Sequence, residues 1–160
     1  MSKNVVFSSK VASVISLLCL TTACSPVVTS TDISYSNPES KVRQVYASFG
    51  NVLCDKINMS SFFQETFVKE LIRACDADLF LYTGNPVIPG NDFDDREITS
   101  TLKINCQQRD TTVCAATFDS FGESYTVRFY LTEETGNWVI TDIVDYQGDS
   151  FRSALAQLLN

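Results

Sequence analysis

Carboxylates are the most abundant groups in this chain that could carry out acid–base or ligand chemistry. The sequence contains 19 Asp and Glu residues and no His. It therefore has no Ser-His-Asp or Cys-His nucleophile pair and no His-ligated metal. Asp142 and Asp145 with Glu123 could supply the two carboxylates of a glycosidase. Because so many acids form such pairs by chance, the sequence favours a protein that is not an enzyme.

A second acidic group lies in a stretch rich in Pro and Gly, residues 79–97, for which we predict a long loop. We identify Asp92, Phe93, Asp94 and Asp95 in it as a candidate binding loop. Three Asp side chains could bind calcium through their oxygens. The run lacks the glycine and the distal Glu of an EF-hand, so we favour a solvated acidic loop and predict neither a metal site nor a cofactor.

The cysteines fit an oxidising compartment. Cys54, Cys75, Cys106 and Cys114 are an even number, which favours two disulfides with three pairings open. A zinc site is the weaker alternative, because no two of them are closely spaced. Because Cys106 and Cys114 flank a predicted turn, we favour 106–114 and 54–75. Each bridge would stabilise the fold by about 3 kcal/mol in the chain-entropy model.

The first 23 residues have the layout of a bacterial secretion signal. Two Lys residues precede the apolar run 11–20, and small residues follow it. The run is shorter than the ~20 apolar residues of a membrane span. The step from Ala23 to Cys24 resembles a lipoprotein processing site, so we predict that Cys24 carries a lipid. Cleavage without lipidation, which would leave a soluble periplasmic protein, stays open.

The sequence also predicts where the lipoprotein resides and how its mature chain is divided. Ser25 after the lipidated Cys favours the outer membrane, with the protein facing the periplasm. Residues 24–36 read as a flexible tether, and residues 37–160 as a single domain. The net charge is −7, and removal of Lys3 and Lys10 with the leader makes it −9. This acidity argues against nucleic acid as a partner and allows a basic protein.

The spacing of the apolar residues changes along the domain from a helical period to a strand-like one. Asn37-Pro38-Glu39 starts a helix that should reach about Cys54, and a second helix should cover about 61–78. From Ile98 onward, alternating apolar residues predict four antiparallel strands, with later turns at Phe121-Gly122 and Thr135-Gly136-Asn137. Asp149-Ser150 caps a short C-terminal helix. We therefore predict an α+β fold: two N-terminal helices, a four-stranded antiparallel sheet and a short C-terminal helix.

Two resemblances refine this expectation. The order of elements resembles the nuclear-transport-factor-two-like superfamily, whose curved sheet forms a cone. The segments 138–143, Gly148 and 151–155 resemble the end of YbjP/YqhG-type envelope lipoproteins, where a W-x-I-x-D-I/V strand precedes a glycine turn and an L/F-R-x-x-L helix. The resemblance implies that Trp138 and Ile140 fill the core and that Asp142 caps or bonds near the turn.

A cone-like sheet often encloses an apolar pocket. Five aromatic residues could line one here, although we favour an ordinary core for them: Phe63, Phe67, Tyr125, Phe129 and Trp138.

These observations favour a non-enzymatic, periplasm-facing lipoprotein that binds another envelope protein. One alternative is an immunity protein that neutralises a periplasmic toxin from a competing cell. A second alternative is a small-ligand binder or carboxylate-based hydrolase that uses the cone pocket. The oligomeric state is left open.

Overall fold

The computed structural model describes residues 37–49, 51–79, 84–90 and 92–160, which all fall within one compact unit. The predicted leader, Cys24 and the tether lie outside the described residues. No helix in the described ranges is long and apolar enough to span a membrane.

The α+β fold and its four-stranded antiparallel sheet are confirmed. The strands are β1 Lys103–Gln108, β2 Thr112–Ser120, β3 Glu123–Glu134 and β4 Asn137–Val144, and they lie side by side in chain order. Short turns at 121–122 and 135–136 join the last three strands, and all four turn residues have positive φ. Such two-residue turns match the natural twist of paired strands.

Helix α1 spans Pro38–Ala47 and begins where the sequence predicts. The Asn37 side chain accepts a hydrogen bond from the Glu39 amide at 2.9 Å, as a helix cap does. The predicted end near Cys54 is wrong. Phe49 adopts φ 46°, and this left-handed conformation ends the helix, so that only a 3-10 turn, Asn51–Cys54, follows.

The predicted second helix is divided into α2, Met59–Phe62, and α3, Glu65–Asp76. Phe63 forms an isolated bridge with Ile140, and the Gln64 amide donates to the Ile140 carbonyl oxygen at 2.9 Å. This bond with β4 takes the backbone out of the helical path, which the apolar spacing of residues 61–78 did not reveal.

The predicted start of the first strand at Ile98 is wrong. Residues Asp95–Thr101 form helix α4, and β1 begins at Lys103. Asp94 caps α4, because its side chain accepts from the amides of Arg96 and Glu97, both at 3.0 Å. Ile98 and Leu102 fit strand alternation but are also four residues apart, the spacing of one helical face.

The short C-terminal helix is confirmed as α5, Phe151–Leu158. Ser150 caps it by accepting from the Ser153 amide at 3.0 Å. One face of the sheet packs against the helices, and every second residue of β2 is buried there. The largest fully buried aromatic side chains are Phe63, Phe67, Phe118 and Phe129.

Both predicted disulfide pairs are found at bonding distance. Cys54 at the end of the 3-10 turn pairs with Cys75 in the last turn of α3. Cys106 and Cys114 face each other directly in the β1–β2 register. The Cys54–Cys75 bridge therefore ties together the helical segment, and the Cys106–Cys114 bridge ties together two strands at the edge of the sheet.

Arg152 in α5 joins three elements. Its Nε and Nη2 atoms donate to the two carboxylate oxygens of Glu70 in α3, both at 2.9 Å. Its Nη1 atom donates to the Thr141 carbonyl oxygen of β4 at 3.2 Å. The guanidinium carbon lies 5.4 Å from the centre of the Phe67 ring. The Arg152–Glu70 pair is therefore bidentate, which is the stronger geometry for a hydrogen-bonded ion pair.

Asp142 in β4 holds the start of the same helix. Its carboxylate accepts from the Ser150 hydroxyl at 2.7 Å, the Arg152 amide at 3.0 Å and the Ile143 amide at 2.8 Å. Trp138 and Ile140 are buried in the same strand. These positions match the structural roles that the C-terminal pattern implied for the three residues.

We predict that Arg152→Ala lowers the free energy of unfolding by about 2 kcal/mol, because it removes several charged hydrogen bonds to partly buried acceptors. Lys69→Ala is the matched control: it breaks the Lys69–Glu65 pair, whose side chains are 69% and 80% exposed, and should change the free energy of unfolding little, because exposed ion pairs are screened by water and salt. Urea denaturation measures both. Equal losses of unfolding free energy in the two variants would show that the Arg152 contacts stabilise the fold no more than an exposed ion pair does.

Candidate functional site

The candidate binding loop lies against the β2–β3 turn. The Asp94 amide donates to the Ser120 hydroxyl oxygen at 3.1 Å, and the Gly122 amide donates to the Glu97 carboxylate at 3.2 Å. The loop, helix α4 and the β2–β3 turn therefore form one surface. We call this surface the acidic turn surface, and its residues are Asp92, Asp94, Asp95, Glu97, Phe121 and Glu123.

The four residues of the predicted loop have different places in this surface. Asp92 and Asp95 are exposed. Asp94 is half-buried, since its carboxylate caps α4. Phe93 is half-buried too and packs on Phe49, with ring centres 5.3 Å apart. The loop therefore presents two carboxylates outward and uses its other two side chains to hold itself in place.

Phe121 stands at the tip of the β2–β3 turn. It is 68% exposed and has φ 52°, followed by Gly122 at φ 76°. Turns with two left-handed residues favour Asn, Asp or Gly at the first position, and a bulky residue there costs about 1 kcal/mol. The ring also gains little from burial. Neither the turn nor the core accounts for a Phe, which points to a role outside the fold.

Sequence reasoning treated Phe121-Gly122 only as a turn. The signal that it missed was the residue type: a Phe stands where Asn or Asp normally precedes Gly in a tight hairpin. Once the turn was recognised, this mismatch alone would have singled out the position.

The three carboxylates considered for catalysis are not gathered in one described cleft. Asp142 bonds the start of α5, as described above. Asp145 accepts from the amides of Gln147, Gly148 and Asp149 at 2.9–3.0 Å and lines a cleft of about 340 Å³ beside α5. Glu123 accepts from the Tyr125 hydroxyl at 2.8 Å. Each of the three is engaged in a local hydrogen bond.

Acidic clustering does not create a metal-binding arrangement in the part of the chain that the structure describes. No group of three or more Cys, Asp or Glu side chains there is placed to hold an ion.

The five aromatic residues considered for a pocket pack in or against the core. Phe63, Phe67 and Phe129 are at most 1% exposed, and Trp138 is 8% exposed. Tyr125 is half-buried and stacks on Phe118, with ring centres 5.9 Å apart. None of the five lines the clefts described in this section.

Lys41 is a buried charge that sequence reasoning missed. It is 4% exposed, its Nζ atom donates to the Ser61 carbonyl oxygen at 2.7 Å, and it lies 5.1 Å from the centre of the Phe62 ring. Burial lowers the pKa of Lys41. The residue lines a cleft of about 360 Å³ with Glu134 and Asn137. Lys41 lies four residues before Val45, on the apolar face of α1, and this spacing was the sequence signal that could have predicted its burial.

Tyr46 presents the opposite situation, a buried hydroxyl group with no hydrogen-bond partner in the part of the chain that the structure describes. It is 3% exposed, and its hydroxyl is the one buried side-chain polar atom without a hydrogen bond among the described residues. Its ring meets Phe118 and Phe129 edge-on, with centres 5.4 and 6.0 Å away. Burial raises the pKa of Tyr46 well above its ordinary value, so in the folded protein the hydroxyl keeps its proton at pH values where an exposed tyrosine loses it.

Comparison with known proteins finds no relative for this chain: no family model, no curated protein and no solved structure matches it. Its function must therefore be inferred from its own residues and their geometry.

We predict that Tyr46→Phe raises the free energy of unfolding at pH 7 by about 1 kcal/mol, because an unpaired buried hydroxyl is destabilising. The ordinary pKa of 10.0 applies to the unfolded Tyr, and the folded value is higher. Above pH 10 the native state thus holds one more proton than the unfolded state, and Tyr46 lowers stability by up to about 1.4 kcal/mol per pH unit.

Denaturation between pH 7 and 11 measures both effects. Tyr46→Phe should lose this alkaline slope, and Tyr146→Phe, which changes a ring that is 38% exposed, controls for the loss of any tyrosine hydroxyl. A Tyr46→Phe protein that is less stable than wild type at pH 7 would show that the hydroxyl has a stabilising partner.

Proposed function

We propose that this chain is an exported lipoprotein, anchored through Cys24 and facing the periplasm, which binds another envelope protein through the acidic turn surface. The observation that carries the proposal is Phe121. The left-handed turn position reduces stability, and the exposed ring gains little from burial in the fold. A partner that buries the ring would compensate for the cost of the turn.

The composition of the surface suggests the chemistry of the partner. Protein interfaces are often built on an exposed aromatic residue that enters a pocket, surrounded by polar groups that remain partly hydrated. Here the aromatic residue is Phe121, and the surrounding groups are mainly carboxylates. The partner therefore presents an apolar pocket within a basic surface, and opposite charges speed its approach.

We infer that the sheet curves into the cone of the nuclear-transport-factor-two-like superfamily and that the chain is related to YbjP/YqhG-type lipoproteins. The support is the order of elements and the contacts of Asp142 and Arg152 within the C-terminal pattern. The leader and Ser25 support placement in the outer membrane.

An immunity protein remains the second candidate, because the same acidic surface would complement a basic toxin from a competing cell. We give less weight to a ligand pocket or hydrolase site inside the cone. Four of the five aromatic residues proposed to line such a pocket are buried, which agrees better with a packed core.

We predict that Phe121→Asn raises the free energy of unfolding by about 1 kcal/mol and sharply reduces partner recovery, because Asn suits the turn but lacks the ring. Cross-linking in the envelope, followed by affinity purification and mass spectrometry, measures recovery. Ile57→Asn is the matched control, since Ile57 is 87% exposed and lies outside the acidic turn surface.

The identity of the captured protein separates the two candidates: a resident envelope protein supports the first, and a basic secreted toxin supports the second. If wild type and Phe121→Asn recover the same proteins in the same amounts, the acidic turn surface is not the binding surface.

For the anchor, we predict that Cys24→Ala moves the protein from the membrane fraction to the soluble fraction, because the thiol that receives the lipid is lost. Cys19→Ala changes a leader cysteine and should leave the distribution unchanged. Fractionation followed by immunoblotting measures both. Retention of the Cys24→Ala protein in the membrane would contradict lipid anchoring through this residue.

A further inference from the structure

The two edges of the sheet, β1 on one side and β4 on the other, differ in how they are covered. The Gln64 amide donates to the Ile140 carbonyl oxygen of β4 at 2.9 Å. Arg152 of α5 donates to the Thr141 carbonyl oxygen of the same strand at 3.2 Å. Among the described residues, no hydrogen bond from outside the sheet reaches the backbone of β1. The edge at β1 is therefore open.

The pairing of β1 with β2 shows which backbone groups face outward. Opposite residues of an antiparallel pair alternate between a hydrogen-bonded pair, with Cα atoms about 5.5 Å apart, and a non-hydrogen-bonded pair at about 4.5 Å. Cys106 and Cys114 are directly opposite, and their Cα atoms are 3.9 Å apart, which indicates the narrower kind. The N–H and C=O groups of Cys106 therefore point away from β2. Those of Ile104 and Gln108, two residues to either side, point the same way.

Strand β1 lacks most of the features that protect an open edge. Free backbone groups at an edge pair readily with another extended chain, and proteins usually prevent this with proline, a bulge or charged side chains. β1 contains no proline, its only charged residue is Lys103, and its register with β2 is continuous over all six residues. The Cys106–Cys114 bridge fixes the middle of the strand. A strand that is ordered in advance loses little conformational entropy when a partner binds.

Charge restricts what can pair with this edge. Residues 103–109 contain two cations, Lys103 and Arg109, and no acid, although Asp110 follows them. Both cations are exposed, and neither forms an ion pair with a described residue. A carboxylate near each end of an added strand would be attracted to them. A second copy of the chain would instead bring two basic segments together, and its net charge of −7 would add repulsion.

We propose that β1 is a docking site for an extended, acidic segment of another protein, which adds an antiparallel strand to the sheet. Backbone hydrogen bonds supply the affinity in this mode of recognition, and side chains supply the specificity. Here Lys103 and Arg109 select for carboxylates near the ends of the segment. The site is separate from the acidic turn surface and opposite in charge, so the inference does not depend on the proposed function.

The probe is the acetylated and amidated peptide Glu-Val-Thr-Val-Thr-Val-Glu, which carries a carboxylate at each end. The full chain in detergent is titrated with it, and the backbone amides of β1 are followed by NMR and hydrogen exchange. We expect saturable shifts and slower exchange at the outward amides of Ile104, Cys106 and Gln108. The exchange of Asn105 and Gln107, whose amides face β2, should change little.

Two modified peptides test the strand geometry. N-methylation of the central Val removes the donor that faces the Cys106 carbonyl oxygen and places a methyl group between the strands, so it should abolish binding. N-methylation of the Thr before it changes an amide that faces away from β1 and should leave binding nearly unchanged. Equal effects of the two modifications would contradict strand pairing.

Charge reversal in the protein tests the choice of partner. Lys103→Glu with Arg109→Glu should weaken binding of the peptide about tenfold, the loss of two exposed ion pairs. A peptide with Lys in place of both Glu residues should bind this variant more tightly than it binds wild type. Arg43→Glu with Lys69→Glu is the matched control, because it changes the net charge equally at exposed positions of α1 and α3, and it should leave binding nearly unchanged.

The proposal is overturned if the peptide gives no saturable shifts, or if the two double variants bind it equally. It is also overturned if the outward amides of β1 are already protected from exchange without peptide. Protection that increases with protein concentration would show that a second copy occupies the edge. Protection at every concentration would show that another segment of the same chain does.

Discussion

The arrangement of helix α5 against α3 and β4 depends on the hydrogen bonds of the Arg152 guanidinium. It bonds Glu70, which is 82 residues earlier in the chain, and the Thr141 carbonyl of β4 at the same time. Only a planar side chain with several fixed donors can satisfy these acceptors together, so Lys could not replace it. With Asp142 bonded to the first residues of α5, this contact sets helix α5 against both α3 and the sheet.

The sheet in turn presents the acidic turn surface in a defined shape. The Asp119 amide donates to the Thr101 hydroxyl oxygen at 2.9 Å, next to the bonds that join Ser120 with Asp94 and Gly122 with Glu97. Side chains and backbone of the α4 region thus hold the tip of the β2–β3 hairpin on one side. A surface that is ordered before binding loses less conformational entropy when a partner arrives, and Phe121 is its most exposed apolar member.

Local signals predicted most elements of the fold, and the errors occur where a distant residue intervenes. The cap at Asn37, the turns before β3 and β4 and the cap at Ser150 depend on neighbours in sequence and were foreseen. The break at Gln64 depends on a bond with Ile140 in β4. The helix at 95–101 has a local cap in Asp94, but the alternating apolar pattern competed with it, and helix and strand share the spacing of Ile98 and Leu102.

By itself, the sequence determined which chemistry is accessible and where the chain can turn. The lack of His, the negative charge, the four cysteines outside the leader and the Gly and Pro positions are properties of composition and of nearest neighbours. Only the tertiary structure decided which cysteines meet, that Asp94 and Glu97 hold the Phe121 turn, that Lys41 is buried and that the Tyr46 hydroxyl has no acceptor among the described residues. Each of these outcomes depends on the surroundings of a side chain. Those surroundings are made by residues far apart in the chain, which local patterns do not specify.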